Sequence, residues 1–123
     1  MNGNFDGISV VELNEADTAA LDALPFGVIG LTPDSTVRIY NLAESQASGL
    51  APARVLGYRF FEEIAPCMNN FMVAQRFEDE ARIDDTIAYV LTFRMRPTPV
   101  HLRLLAAPGS ALRFILVERK GDA

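Results

Sequence analysis

Three side chains able to do chemistry recur at a four-residue step: Tyr40, Glu44 and Ser48. In a helix, residues four apart lie on one face, so Glu44 and Ser48 share a line with Tyr40 at its entry. Facing outward, Glu44 is an ordinary surface acid. Facing inward, a phenol, a carboxyl and a hydroxyl line one pocket wall. Burial disfavours the charged form of a carboxyl, so an inward Glu44 would stay protonated and donate a hydrogen bond. The second candidate is Cys67, the sole cysteine, in "FFEEIAPCMNNF". A free cysteine commonly behaves as a small buried hydrophobe. Here it precedes an expected helix start at Asn69 and Asn70, where unpaired N–H groups and the helix dipole would favour a thiolate. A cysteine nucleophile with a histidine base would need His101, the single histidine. The alternation around His101 puts it on the polar side of a strand, so that pair does not assemble. One Cys and one His likewise provide no metal-ligand spacing, and "FGVIG" lacks the glycine spacing of a phosphate loop. The reading contains no catalytic group and no metal site.

The elements that must position these residues follow from pattern. "ADTAALDAL" reads as a short helix capped by Asp17 and closed before Pro25, within a polar stretch holding scattered apolar residues. "FGVIGL" and "VRIYN" around "TPDST" read as a β-hairpin. In "NLAESQASG", Asn41 is the expected N-cap, Glu44 completes a capping box and Gly49 stops the helix. "APARVLG" and "YRFFEEIAP" read as two further short helical turns. In "NNFMVAQRFEDEARID", Phe71, Ala74, Phe77 and Ala81 carry the spacing of a longer amphipathic helix. "YVLTFRMR", "VHLRLL" and "LRFILVER" alternate with period two, with turns at "PTP" and "APGSA". Tyr89, Leu91, Phe93 and Met95 fall on one face of the first of these strands. Val100, Leu102 and Leu104 face the core, and His101 and Arg103 face water. The order is α+β: a five-stranded antiparallel sheet with helices on one face. It resembles the PAS sensor fold, whose ligands sit between helices and sheet.

Composition bounds the rest. At 123 residues the chain is one domain of ordinary size, half hydrophobic, with a net charge of −5. No basic patch points to nucleic acid. No apolar run is long enough to span a bilayer, and the acidic N-terminus is not a secretory signal. A single cysteine fits a reducing compartment. The expectation is a cytoplasmic protein with no nucleic-acid or membrane partner, in which residues 1–25 form an N-terminal cap on a core of 26–123.

Several motifs together resemble the photoactive yellow protein family: "LDALPFGVIGL", "YNLAES", "GYRFFEEIAPC" and "FRMRPTPV", in that order. "YNxAE" followed 23 residues later by the cysteine of "APC" is the specific combination. The resemblance implies a PAS-fold blue-light receptor, not an enzyme. It implies p-coumaric acid (4-hydroxycinnamic acid) held as a thioester on Cys67, its phenolate bonded by Tyr40 and Glu44, with Ser48 supporting Tyr40. Ile29, Leu50, Phe60, Ile64 and Ala65 would line the pocket from the hairpin and helical side. Pro66, Met68, Leu91, Phe93 and Met95 would complete it. From residue type alone, Phe93 and Met95, with Phe60, Phe61 and Ile64, read equally as core. The implied cycle is trans–cis isomerisation, then proton transfer from Glu44. The ionised Glu44, lacking a cation partner, would then be relieved by partial unfolding that releases residues 1–25 toward an unidentified downstream signalling protein. Three positions depart from the family: Ser48 stands for a threonine, Leu50 for an arginine and Phe93 for a tyrosine. The link around "EDEARIDD" is also shorter. Two other readings compete: a PAS ligand-sensing or interaction module without chromophore, and a small α+β enzyme using Glu44 as general base.

Overall fold

The computed structural model describes residues 3–92 and 96–119. Five strands form one antiparallel sheet: β1 (Gly27–Leu31), β2 (Val37–Tyr40), β3 (Ile83–Leu91), β4 (Thr98–Ala106) and β5 (Arg113–Arg119), in spatial order β2-β1-β5-β4-β3. The hairpin and the three-strand meander follow the sequence pattern, and pairing β1 to β5 closes them into one sheet with Gly27 opposite Val117. Period-two alternation then sends Ile29, Leu31, Ile115, Val117, Leu102 and Leu104 into one core, covered by the helical segments between β2 and β3. This is the expected α+β fold.

The other face of the sheet is also covered. Val28, Leu105, Phe114 and Leu116 form a second core with Phe5, Ile8, Leu13, Leu21 and Leu24. The scattered apolar residues of the N-terminal stretch thus converge on the sheet. Two short helices present them: α1 (Val10–Glu15) and α2 (Thr18–Asp22). Asp17 caps α2 as expected. α1 was not foreseen, although "SVVE" carries its signal: Ser9 and Glu12 exchange side-chain bonds to each other's backbone N–H, a capping box. The covered face corrects the expectation for Arg103, which is buried and not solvated. Its guanidinium donates to the carbonyls of Phe5 and Ile8 at 2.9 and 2.7 Å and pairs with Asp84. His101 is exposed, as alternation required.

Between β2 and β3 the chain forms α3 (Leu42–Ser48), a 3₁₀ turn at Pro52–Arg54, a π-helical turn at Phe60–Ile64, a 3₁₀ turn at Pro66–Met68 and α4 (Ala74–Asp79). α3 starts on the Asn41 cap and ends at Gly49 with φ 77°, a left-handed stop suited to glycine. The expected long helix is corrected: α4 spans six residues. Phe71 is 79% exposed before it, Ala81 is exposed after it, and β3 already begins at Ile83. The three-and-four spacing fails because Asn70 bonds its own neighbourhood instead, its side-chain oxygen accepting from the N–H groups of Met72 and Val73. The strand expected over 89–96 begins earlier, at Ile83. Its share of the pattern at Phe93 and Met95 lies outside the described residues.

Candidate functional site

The face of α3 that could point inward or outward points inward: Tyr40, Glu44 and Ser48 are all buried. Two features impose this. Asn41 is 2% exposed and locks the start of α3 with all of its side-chain hydrogen-bonding groups. Its oxygen accepts from the N–H groups of Val28 and Glu44, and its amide donates to the carbonyls of Leu21 and Phe26. The second feature is Gly27. A Cβ there would stand 2.1 Å from Glu44 Oε1, so the missing side chain is what lets the carboxylate lie against β1.

The Tyr40 hydroxyl and the Ser48 hydroxyl share a hydrogen bond of 2.7 Å. Burial first, and the negative charge of Glu44 second, push the Tyr40 phenol up to about 12, so it is a neutral hydrogen-bonding group at ordinary pH. Glu44 does not close a capping box, because its carboxylate turns away from the helix start. Arg119, at the end of β5, holds both of its oxygens, at 2.8 and 3.0 Å. Glu44 is 1% exposed and Arg119 14%. This bidentate pair corrects the expectation that an ionised Glu44 would lack a cation partner. Arg119 closes the alternating run "LRFILVER" and was given no role there, yet it falls on the inward alternation of Ile115 and Val117.

Cys67 lies in the Pro66–Met68 turn, half-buried against the same core that contains Tyr40. No α-helix starts at Asn69 or Asn70, so the expected dipole on the thiol is absent. The turn is instead held through its backbone. The Cys67 carbonyl accepts from the Tyr89 hydroxyl and from the Asn70 amide, and that amide also donates to Tyr89 at 2.6 Å. Tyr89 and Asn70 had no role in the sequence reading beyond strand face and helix start. Of the expected lining residues, Ile29, Phe60, Ala65, Met68 and Leu91 are buried in the core shared with Cys67, and Leu50 and Ile64 are half-buried against it. Pro66 is exposed. Phe93 and Met95 lie outside the described residues. Among the described residues no cluster of side chains could hold a metal ion, and no helix is long and apolar enough to cross a membrane.

A sheet in this order, covered on one face by short helices that carry a buried acid, defines a PAS-type sensory domain. No protein-family model matches the chain. The photoactive yellow protein of Rhodothalassium salexigens is 35% identical over 104 residues, covering 82% of this chain and 83% of the relative. That of Halochromatium salexigens is 31% identical over 114 residues, 90% of this chain and 89% of the relative. Among solved structures, the photoactive yellow protein domain of the sensor histidine kinase Ppr from Rhodospirillum centenum superposes with a TM-score of 0.82 at 34% identity, covering 89% of this chain and 99% of that one. The chain belongs to the photoactive yellow protein family.

Proposed function

We propose that this domain is a blue-light receptor that carries p-coumaric acid on Cys67 and signals through its N-terminal segment. One observation carries the reading: Tyr40, Glu44 and Ser48 are buried together, Ser48 bonds Tyr40, and Tyr40 belongs to the core against which Cys67 packs. The residue set fits an acyl phenol, with a thiol to esterify and neutral hydroxyl and acid groups to meet the phenolate. A buried phenolate is costly without charge-assisted hydrogen bonds, which Tyr40 and a protonated Glu44 would donate. Bound as a thioester, the group would supply blue absorption and a double bond that isomerises in light. Cys67 would anchor it and Ser48 would orient the Tyr40 hydroxyl. Glu44 would hold one proton at its carboxyl and release it after illumination.

The route from that proton to the protein surface runs through Asn41. It joins the start of α3, which carries Glu44, to the carbonyl of Leu21 in α2, and the Leu42 N–H adds a bond to Asp22. A shift of Glu44 that drags α3 would therefore loosen the N-terminal segment, which sits on the opposite face of the sheet. Residues 1–25 acting as a releasable cap on 26–123 belong to the same proposal, as do a cytoplasmic setting and a downstream signalling partner. Its role is sensory, not catalytic. Enzymatic use of Glu44 as a base is disfavoured by the guanidinium on both of its oxygens. That same pair favours the second reading, a PAS module that senses without pigment, because it leaves Glu44 already satisfied.

Mixing the purified protein with p-coumaric anhydride separates the readings. The expected result is a covalent adduct by mass spectrometry, a yellow protein that bleaches reversibly in blue light, and loss of both in Cys67→Ala. An unmodified wild-type protein under those conditions would sink the photoreceptor reading. In the loaded protein, Glu44→Gln is expected to red-shift the absorption, since a weaker donor stabilises the phenolate less. An unchanged spectrum would remove Glu44 from the phenolate.

A further inference from the structure

Glu44 is 1% exposed and its carboxylate is gripped through both oxygens by Arg119. A bidentate guanidinium is the partner of an ionised acid, because both oxygens then accept and neither carries a proton. The Tyr40 hydroxyl meanwhile turns to Ser48. Among the described residues, the site therefore sets the negative charge of Glu44 against the positive charge of Arg119. We infer that Arg119 is the resident counter-ion of a site built for a single anion, balancing Glu44 in the empty protein and a ligand's oxyanion when one is bound.

The geometry makes this role specific to Arg119. It leaves β5 on the inward side, two residues beyond Val117, and Val117 pairs with Gly27. The bare Cα of Gly27 is the surface on which the Glu44 carboxylate rests. The guanidinium thus reaches the carboxylate across the junction of β1 and β5, from an element in the sheet rather than from α3. It need not move with the helix. Among the described residues, the charged and titratable groups placed against Glu44 include this arginine from β5 and Tyr40 from the end of β2; the Tyr40 phenol, raised first by burial, is raised further by the carboxylate and lowered by the guanidinium. Two anions against one cation in so dry a site would leave one charge unpaired, which is costly. A ligand entering as the neutral phenol would therefore pass its proton to Glu44 and be held as the phenolate by Arg119, and return of that proton to the phenolate oxygen would restore the Glu44–Arg119 pair. The proton moves between two oxygens while the cation stays. Light-driven proton transfer in such a site creates no orphaned carboxylate.

The part concerning a phenolate rests on the photoreceptor reading, so the test has an arm that needs no pigment. In the pigment-free wild-type protein, infrared spectra with Glu44→Gln as reference assign the Glu44 carboxyl. It is expected to be ionised at neutral pH, and a protonated Glu44 in wild type would overturn the inference with no charge-altering variant involved. Arg119→Gln is expected to raise the pH midpoint of Glu44 by about one to three units, with Arg119→Lys close to wild type. Equal midpoints in all three would overturn it. In the second arm, the loaded proteins are titrated and the loss of the yellow anionic form on acidification is followed. Arg119→Gln is expected to lose its colour at a pH about one unit higher or more, about a tenfold weaker hold on the anion, and Arg119→Lys to restore it. A loaded Arg119→Gln with an unshifted midpoint removes Arg119 from the ligand's charge balance. Failure of wild type itself to load defeats the photoreceptor reading instead, and leaves the infrared arm to decide on Arg119.

Discussion

Replacing Arg103 by methionine should loosen the N-terminal segment and leave the sheet folded. Arg103 sits at the middle of β4 with its side chain 7% exposed, and its Nη1 donates to the carbonyls of Phe5 and Ile8. Hydrogen bonds from a charged donor contribute about 1.5–3 kcal/mol each, so the two together are worth about 3–6 kcal/mol before relaxation. The pair with Asp84 adds little, because Asp84 is 63% exposed and exposed pairs contribute about 0–1 kcal/mol. Methionine keeps the apolar stem over the sheet and leaves two buried carbonyls unsatisfied. Lifting residues 3–24 into water would satisfy them, so the cost should appear as easier opening of that segment. Taking about 3 kcal/mol, amide exchange of Leu13 and Leu21 in the two N-terminal helices should accelerate about 100-fold or more, while amides of the β4–β5 ladder change far less. Asp84→Asn should accelerate the same amides less than about fivefold. Native-state hydrogen exchange read by NMR measures both sets at once. Unchanged protection of Leu13 and Leu21 in Arg103→Met, or an equal loss through β4 and β5, would refute the reasoning.

Three further outcomes follow from the site. Gly27→Ala places a methyl 2.1 Å from Glu44 Oε1, so it should displace the carboxylate from Arg119 and cost about 1–3 kcal/mol in urea unfolding, with near-wild-type stability refuting the close approach. Asn41→Ala strips partners from the N–H groups of Val28 and Glu44 and from the carbonyls of Leu21 and Phe26; it should destabilise the protein by about 3 kcal/mol or more and raise exchange in α2, whereas a loss under about 1 kcal/mol would show the groups re-paired. The Tyr40 phenol is raised from 10.0 to about 12, so the folded state holds a proton that the unfolded state releases. Stability from this group is intact below pH 10 and declines as pH rises from about 10 to 12, by about 3 kcal/mol at most, and Tyr40→Phe should flatten that part of the profile in urea titrations.

Much of the fold was legible because its signals are local. Asn41 and Gly49 bound α3 through one side-chain cap and one positive φ, and both act within a few residues of themselves. The hairpin showed in two β-rich runs around a turn, and the meander in alternation, which needs only one covered face to be written into the chain. The long helix over 69–84 misled because apolar spacing of three and four reports a face to be buried, not the backbone that buries it. The side chain of Asn70 competes for the backbone N–H groups of Met72 and Val73, and Phe71 is left in solvent.

By itself the sequence determined the hairpin, the last two strands, the caps of α2 and α3, the placement of a phenol, acid and hydroxyl on one helix face, and the cysteine that follows 23 residues after the acid. Each depends on backbone preferences or on spacing along one element. Tertiary structure alone decided the charges. Glu44 meets Arg119 across 75 positions, and Arg103 meets Phe5 and Ile8 across 98 and 95. Whether an arginine on an alternating strand faces water or a buried partner depends on what covers that face of the sheet. No residue beside it in the chain carries that information. The outer face is covered by an N-terminal segment folding back, and the inner junction is opened by a glycine on the neighbouring strand. Those two long-range events turn one arginine into a clamp and the other into a counter-ion.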